Sequence, residues 1–194
     1  MIRLASIAKP HLSEESRLIT ELFDFENVQE YKFKDMCFGG ASRGEFKTDK
    51  GEKVEMFSTT FPFDMVEYNR DLPSSFNQDR DTMITDLAFV VDGKPGQARK
   101  ASLQEFLPII KTVFLWIRDS AIPCIEKNAK TSGDPNPIFQ IAAQAKTDNF
   151  NLGDDKQKKL MYKYLINKHI PSGYQQAENR SDMFDKDVFL FQRK

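Results

Sequence analysis

ASLQEFLPIIKTVFLWIRDSAIPCIE, residues 101–126, is the longest sustained helix-period pattern in the chain, and the fold is read outward from it. Leu103, Phe106, Leu107, Ile110, Val113, Phe114 and Ile117 recur at three- and four-residue spacing, so they share one helix face, broad enough to cover a sheet. Ser102 and Glu105 form a capping-box pair in which hydroxyl and carboxylate each accept from an orphan N–H. Pro108 lies inside the pattern, removes one helical hydrogen bond and crowds the carbonyl four residues back; a kink near Gln104 or a late start is expected.

Residues 127–137, KNAKTSGDPNP, read as an exposed connector. Phe139, Ile141, Ala143 and Ala145 then alternate as a strand, and Asp154 or Asp155 caps a helix whose Leu160, Met161, Tyr164, Leu165 and Lys168 share a face. Pro171 and Gly173 stop it, and Val188, Phe189 and Leu190 form a last strand. Upstream of the central helix, Thr85, Leu87, Phe89 and Val91 alternate as a half-buried strand closed by Asp92 and Gly93. Residues 69–82 read as a polar loop, and Met65, Val66 and Tyr68 as a further strand. Residues 45–60 read as a hairpin turning at Asp49, Lys50 and Gly51, with Val54, Met56 and Ser58 on one face and Phe57, Thr59 and Phe61 on the other. Tyr31, Phe33 and Phe38 give a weak strand that breaks at Gly39 and Gly40. Ser13 caps a short helix carrying Leu18, Ile19, Leu22 and Phe23, and Ile2, Leu4 and Ile7 form a first strand or a docking arm, residues 1–12.

This order predicts a single α+β domain over residues 1–194, with a mixed, mainly antiparallel sheet packed by helices. The 194 residues are 40% hydrophobic with 17 Phe, sufficient for one core. Net charge −1 gives no whole-molecule field toward nucleic acid or an anionic membrane, and no apolar run reaches spanning length, so nucleic acid is an unlikely partner and a cytoplasmic location is expected. Cys37 and Cys124 lack CxxC spacing and are expected as free thiols, Cys124 buried and inert; with only His11 and His169 besides, no metal site is expected.

The junction DGKPGQARKAS, residues 92–102, is the candidate binding site. It is read as joining a strand end to a helix start, where gathered N–H groups hold an anion such as a pyrophosphate, Gly93, Gly96 and Ala98 permit close approach, and Lys94, Arg99 and Lys100 add positive charge. An ordinary solvated turn is the competing reading. For acid–base work the candidates are Tyr162, Tyr164, His169 and Glu67, although an aromatic at helical spacing also suits a core and the helix dipole alone favours His169 near a C-terminus. Lys156, Lys158, Lys159, Lys163 and Lys168 make a basic helix face, read as solvated.

The order hairpin, strand, small-residue turn, long helix, strand, helix, strand resembles the GNAT acyltransferase fold, which cradles acyl-CoA pyrophosphate with a Gln/Arg-x-x-Gly-x-Gly/Ala pattern after its fourth strand. Gly96 and Ala98 fall on the two small positions, and Gly93 stands where the family has Gln or Arg. The segment KKLMYKYLINKHIPSGY is similar to the family's later helix. The resemblance implies acetyl-CoA or another acyl-CoA as cofactor, bound by Gly93, Gly96, Gln97, Ala98, Arg99 and Lys100, with Tyr162 or Tyr164 protonating the departing thiolate. A second resemblance spans most of the chain: ITELFDFENVQEY (19–31), the hairpin, the central helix and DDKQKKLMYKYLINKHIPSGY (154–174) are similar to a family of small tailed-bacteriophage proteins. It implies a viral source and the host cytoplasm. It leaves two functions open, an acyl-CoA-dependent N-acyltransferase or a non-catalytic protein that binds a host or virion partner.

Overall fold

The computed structural model describes residues 25, 27–62, 83–95, 103–133, 137–144, 155–181 and 186–194. The strands expected near Ile2 and at Met65–Val66–Tyr68, the helix after Ser13, the 69–82 loop and Ser102 fall outside these residues. Eight strands form one sheet: β1 (Lys34–Phe38), β2 (Ala41–Lys47), β3 (Lys53–Pro62), β4 (Met83–Val91), β5 (Lys94–Pro95), β6 (Ile138–Gln144), β7 (Tyr174–Ser181) and β8 (Lys186–Arg193). Their order is β1-β2-β3-β4-β6-β8-β7, with the short β5 paired to β4. The helices are α1 (Leu103–Trp116), α2 (Ile122–Ser132), joined to α1 by a π-helical turn at Ile117–Ala121, and α3 (Asp155–His169). The architecture is α+β. Every neighbouring pair is antiparallel except β4 and β6. These two are joined through α1 and α2, as a parallel pair requires a long crossover.

β1–β4 form a meander because each turn has the residues its geometry demands. Gly39 and Gly40 both take positive φ (56° and 81°), as a two-residue hairpin loop requires, and Gly51 (φ 80°) closes the β2–β3 turn. The expected alternation holds: Val54, Met56 and Ser58 point to one face and meet Val91, Phe89 and Leu87 across the β3–β4 register. That inner face carries the main core. On it Phe139 stacks on Phe191 at 4.9 Å and meets Tyr174 edge-on at 5.1 Å, under a helical layer of Phe106, Ile110, Phe114 and Trp116 from α1 and Met161 and Leu165 from α3. β4, β6 and β8 are also buried on the opposite face, at Ile84, Ile138, Val188 and Leu190, which explains adjacent apolar residues such as Ile138–Phe139 and Val188–Phe191.

α1 begins at Leu103 and passes through Pro108, with no late start. The irregularity lies further on. At Ile117–Ala121 the ladder widens, and Ile122 N–H donates to the Ile117 carbonyl five residues back. Pro123 is the physical reason: it has no N–H for the Asp119 carbonyl, and its ring would strike that carbonyl in a regular α-helix, whereas the wide turn moves the carbonyl aside. The helical run then continues to Ser132 and ends at Gly133 in the left-handed region (φ 78°), so the first part of the expected 127–137 connector is helix. β7 was not foreseen either; YQQAENRS has no apolar alternation, and it becomes a strand because β8 offers it eight register partners.

The β1–β2 hairpin is seated on the π turn and α2. Ser120 Oγ donates to Asp35 Oδ2 at 2.7 Å, Cys37 and Cys124 are joined by a disulfide, and the Asn128 side chain fills the space where a Cβ on Gly40 would stand. The expectation of two free thiols is therefore corrected. Four residues of α-helix rise about 6 Å and two residues of strand about 6.7 Å, so the 120-124-128 row runs in step with alternate β1 residues. Nothing in the spacing of two cysteines 87 residues apart discloses that match. Segment 28–31 is tied to α1 in its turn: Lys111 Nζ donates to the Val28 carbonyl at 2.6 Å and pairs with Glu30, and Tyr31 N–H donates to Thr112 Oγ1 at 2.9 Å.

Candidate functional site

β4 and β6 part company midway. Their parallel pairing runs from Ile84 opposite Ile138 to Leu87 opposite Ile141 and stops there. β4 continues to Val91 and β6 to Gln144, the latter paired beyond Ile141 with β8. The cause is local. Asp92 (φ 49°) and Gly93 (φ 72°) form a two-residue loop with both φ positive, which turns the chain back so that Lys94 and Pro95 pair with Val91 and Val90. Because β3 accompanies β4 along its whole length, β5 must take the β4 edge that β6 has left. Asp92 fixes this turn: its Oδ1 accepts Lys53 N–H at 2.9 Å, and its own N–H donates to the Lys53 carbonyl at 2.8 Å. Between the end of the β6 pairing and the start of the β5 pairing, Ala88 and Phe89 are the β4 residues with no paired neighbour on that side among the described residues.

Gly93 is thus the exposed tip of a hairpin, and the expectation of a direct strand-to-helix junction at 92–102 is corrected by β5. Gly96, Gln97, Ala98, Arg99, Lys100 and Glu67 lie outside the described residues. Of the α3 stripe read from the sequence, Met161 and Leu165 are buried and Leu160 and Tyr164 are half-buried against the core, while Lys168 is exposed; Tyr162, Ile166 and His169 are buried beside them. Tyr162 sits edge-on to Phe114 at 5.9 Å, as part of the core. Tyr164 stacks on Phe25 at 5.2 Å, with Lys168 Nζ 5.6 Å from its ring centre and 3.5 Å from its hydroxyl. Two residues apart on a helix, the tyrosines point about 200° apart and do not act on one point.

His169 is 5% exposed, and its Nδ1 is buried without a hydrogen-bond partner. Its ring lies 6.2 Å from that of Phe114. Burial pushes its pKa down to about 4, and the Arg118 and Lys168 cations push the same way against Asp119. Desolvation of the cation thus outweighs the attraction that the helix C-terminus offers to a protonated imidazole. Arg118 Nε and Nη2 instead donate to Asp119 at 2.6 and 2.8 Å, which holds the Asp119 carboxyl below its ordinary range. Tyr174, buried and donating to Glu126 at 2.8 Å, is pushed up from its ordinary value by burial and then by that carboxylate.

A concavity lies on the outer face of β1–β3, a groove of about 620 Å³ whose lining includes Lys34, Met36, Arg43, Glu55, Phe57 and Val90. Cross-strand register sets these side chains in two rows, Lys34-Glu45-Glu55-Val90 and Met36-Arg43-Phe57-Ala88. Periodicity missed this site because the strand reads as apolar or charged without showing which side is left uncovered. Among the described residues no three His, Cys, Asp or Glu side chains gather as a metal-ligand group, and no helix is long and apolar enough to cross a membrane. Comparison with known proteins finds no matching family model, no matching curated protein and no matching solved structure.

Proposed function

We propose that the chain is a phage-encoded acyl-CoA-dependent N-acyltransferase of the GNAT type. The observation that carries this reading is the parting of β4 and β6 after Leu87 and Ile141 in a sheet whose other pairs are antiparallel. An acyl-pantetheine arm is an extended chain with amide groups, and it requires a sheet edge left unpaired between two strands that have separated. Ala88 and Phe89 offer such an edge on β4, and β6 beyond Ile141 forms the other wall. In this reading the backbone of β4 orients the arm by the same N–H and C=O groups that would otherwise bind a strand. The GNAT resemblance assigns the pyrophosphate to residues 96–100.

Bound acyl-CoA supplies the acyl group already activated as a thioester. The chain's own contribution is position and a proton. Of the two tyrosines the resemblance offers as the acid, Tyr164 keeps an exposed hydroxyl 3.5 Å from Lys168 Nζ, while Tyr162 is packed beneath Phe114. Isothermal titration with acetyl-CoA tests the proposal: a saturable heat is expected at or below millimolar cofactor. Even a Kd of ~1 mM corresponds to about 4 kcal/mol of binding, so a flat titration at that concentration sinks the reading.

A further inference from the structure

We propose that β1 takes up an extended acidic segment of a partner protein as an added strand, independently of any acyl transfer. β1 ends the sheet, and among the described residues its outer edge has no paired strand. An open edge is normally short, charged or covered, because unpaired N–H and C=O groups recruit other chains. Here the edge carries Met36 at 62% and Phe38 at 81% exposure on the side facing the groove, too much apolar surface to be a protected edge. It is also held ready. The Cys37–Cys124 disulfide and the Asp35–Ser120 hydrogen bond fix the opposite side of the same strand to the helical layer, so a partner meets a preorganised strand.

Charge selects the partner. Of the three carboxylates that line the groove, Asp35 accepts from Ser120, and Glu45 and Glu55 share one ammonium, Lys53 lying 3.2 Å from the first and 2.9 Å from the second. Among the described residues Lys34 and Arg43 have no ion pair or side-chain hydrogen bond, and Arg43 stands between Met36 and Phe57 in its row. A strand added to β1 sets its alternate side chains beside Lys34, Met36 and Phe38. The complementary pattern is therefore acidic-x-apolar-x-apolar, read along the groove side. A second copy of this chain fits less well: antiparallel self-pairing centred on Met36 sets Lys34 across from Phe38 and joins two faces that each carry unmatched cations.

The probe is a capped, fluorescein-labelled peptide, Leu-Thr-Leu-Thr-Glu-Thr-Glu-Thr, with a control in which both Glu are Lys. Fluorescence anisotropy should show saturable binding of the acidic peptide and at least tenfold weaker binding of the control. Lys34→Glu with Arg43→Glu should reverse that preference, and Phe38→Ser should weaken both peptides; these side chains are exposed, and unchanged circular dichroism and melting of each variant verify the fold. Equal binding of the two peptides overturns the charge argument, and no binding of either at millimolar concentration overturns the strand site. Sedimentation showing a dimer that Phe38→Ser dissociates would assign the edge to a second copy instead.

Discussion

Removing the Cys37–Cys124 bond is expected to lower stability mainly by releasing the unfolded chain. The bond closes a loop across 87 residues of sequence. For a loop of that length the chain-entropy relation gives about 15 cal/mol/K, or roughly 4–5 kcal/mol at 25 °C, as an upper value. The native side loses less, because β1 keeps its five register partners in β2 and Asp35 keeps Ser120. Cys37→Ala combined with Cys124→Ala should therefore lower the urea midpoint and bring Tm down by roughly 10 °C, at about 2–4 °C per kcal/mol for a chain of this size. The denaturant slope should rise as well, since an uncrosslinked unfolded chain exposes more surface. Alkylation of the unfolded, unreduced wild-type protein should add no label, and two after reduction. Two labels before reduction, or a stability change under about 1 kcal/mol in the alanine pair, would refute the reasoning.

Two further outcomes follow from the core. Gly44→Ala should destabilise by about 1–3 kcal/mol in urea denaturation, because the new Cβ would stand 2.7 Å from Met56 Cε and 2.8 Å from the fully buried Trp116 ring; a neutral or stabilising result, the ordinary gain from replacing a strand glycine, would show that Trp116 can yield. His169 predicts a pH effect whose sign is fixed by its direction: the folded pKa of about 4 lies below the unfolded value near 6.5, so between them the unfolded chain binds the proton and stability falls as pH falls. Between pH 7 and 5 the loss is about 2 kcal/mol, and His169→Gln should flatten that slope; an unchanged slope in the variant would assign it to other groups.

Periodicity alone determined the α+β class, the central helix, the β2–β3 hairpin and the burial of β4, because alternation and 3.6-residue recurrence are properties of adjacent residues. Gly39, Gly40, Gly51 and Gly93 were legible for the same reason: each takes a backbone angle that a side chain opposes. What the sequence left open depends on neighbours distant in the chain. β7 has no apolar pattern of its own and is a strand because β8 lies beside it. Tyr162 and His169 are buried beside the expected α3 stripe, because Phe114 and the sheet decide which sides of a weakly amphipathic helix lie inward. The disulfide needs the rise of α2 to match that of β1, and which β4 residues go unpaired among the described residues depends on where β6 leaves that strand and where β5 folds back onto it. Local chemistry fixed the elements, and only packing set which of the described edges and faces are paired or covered.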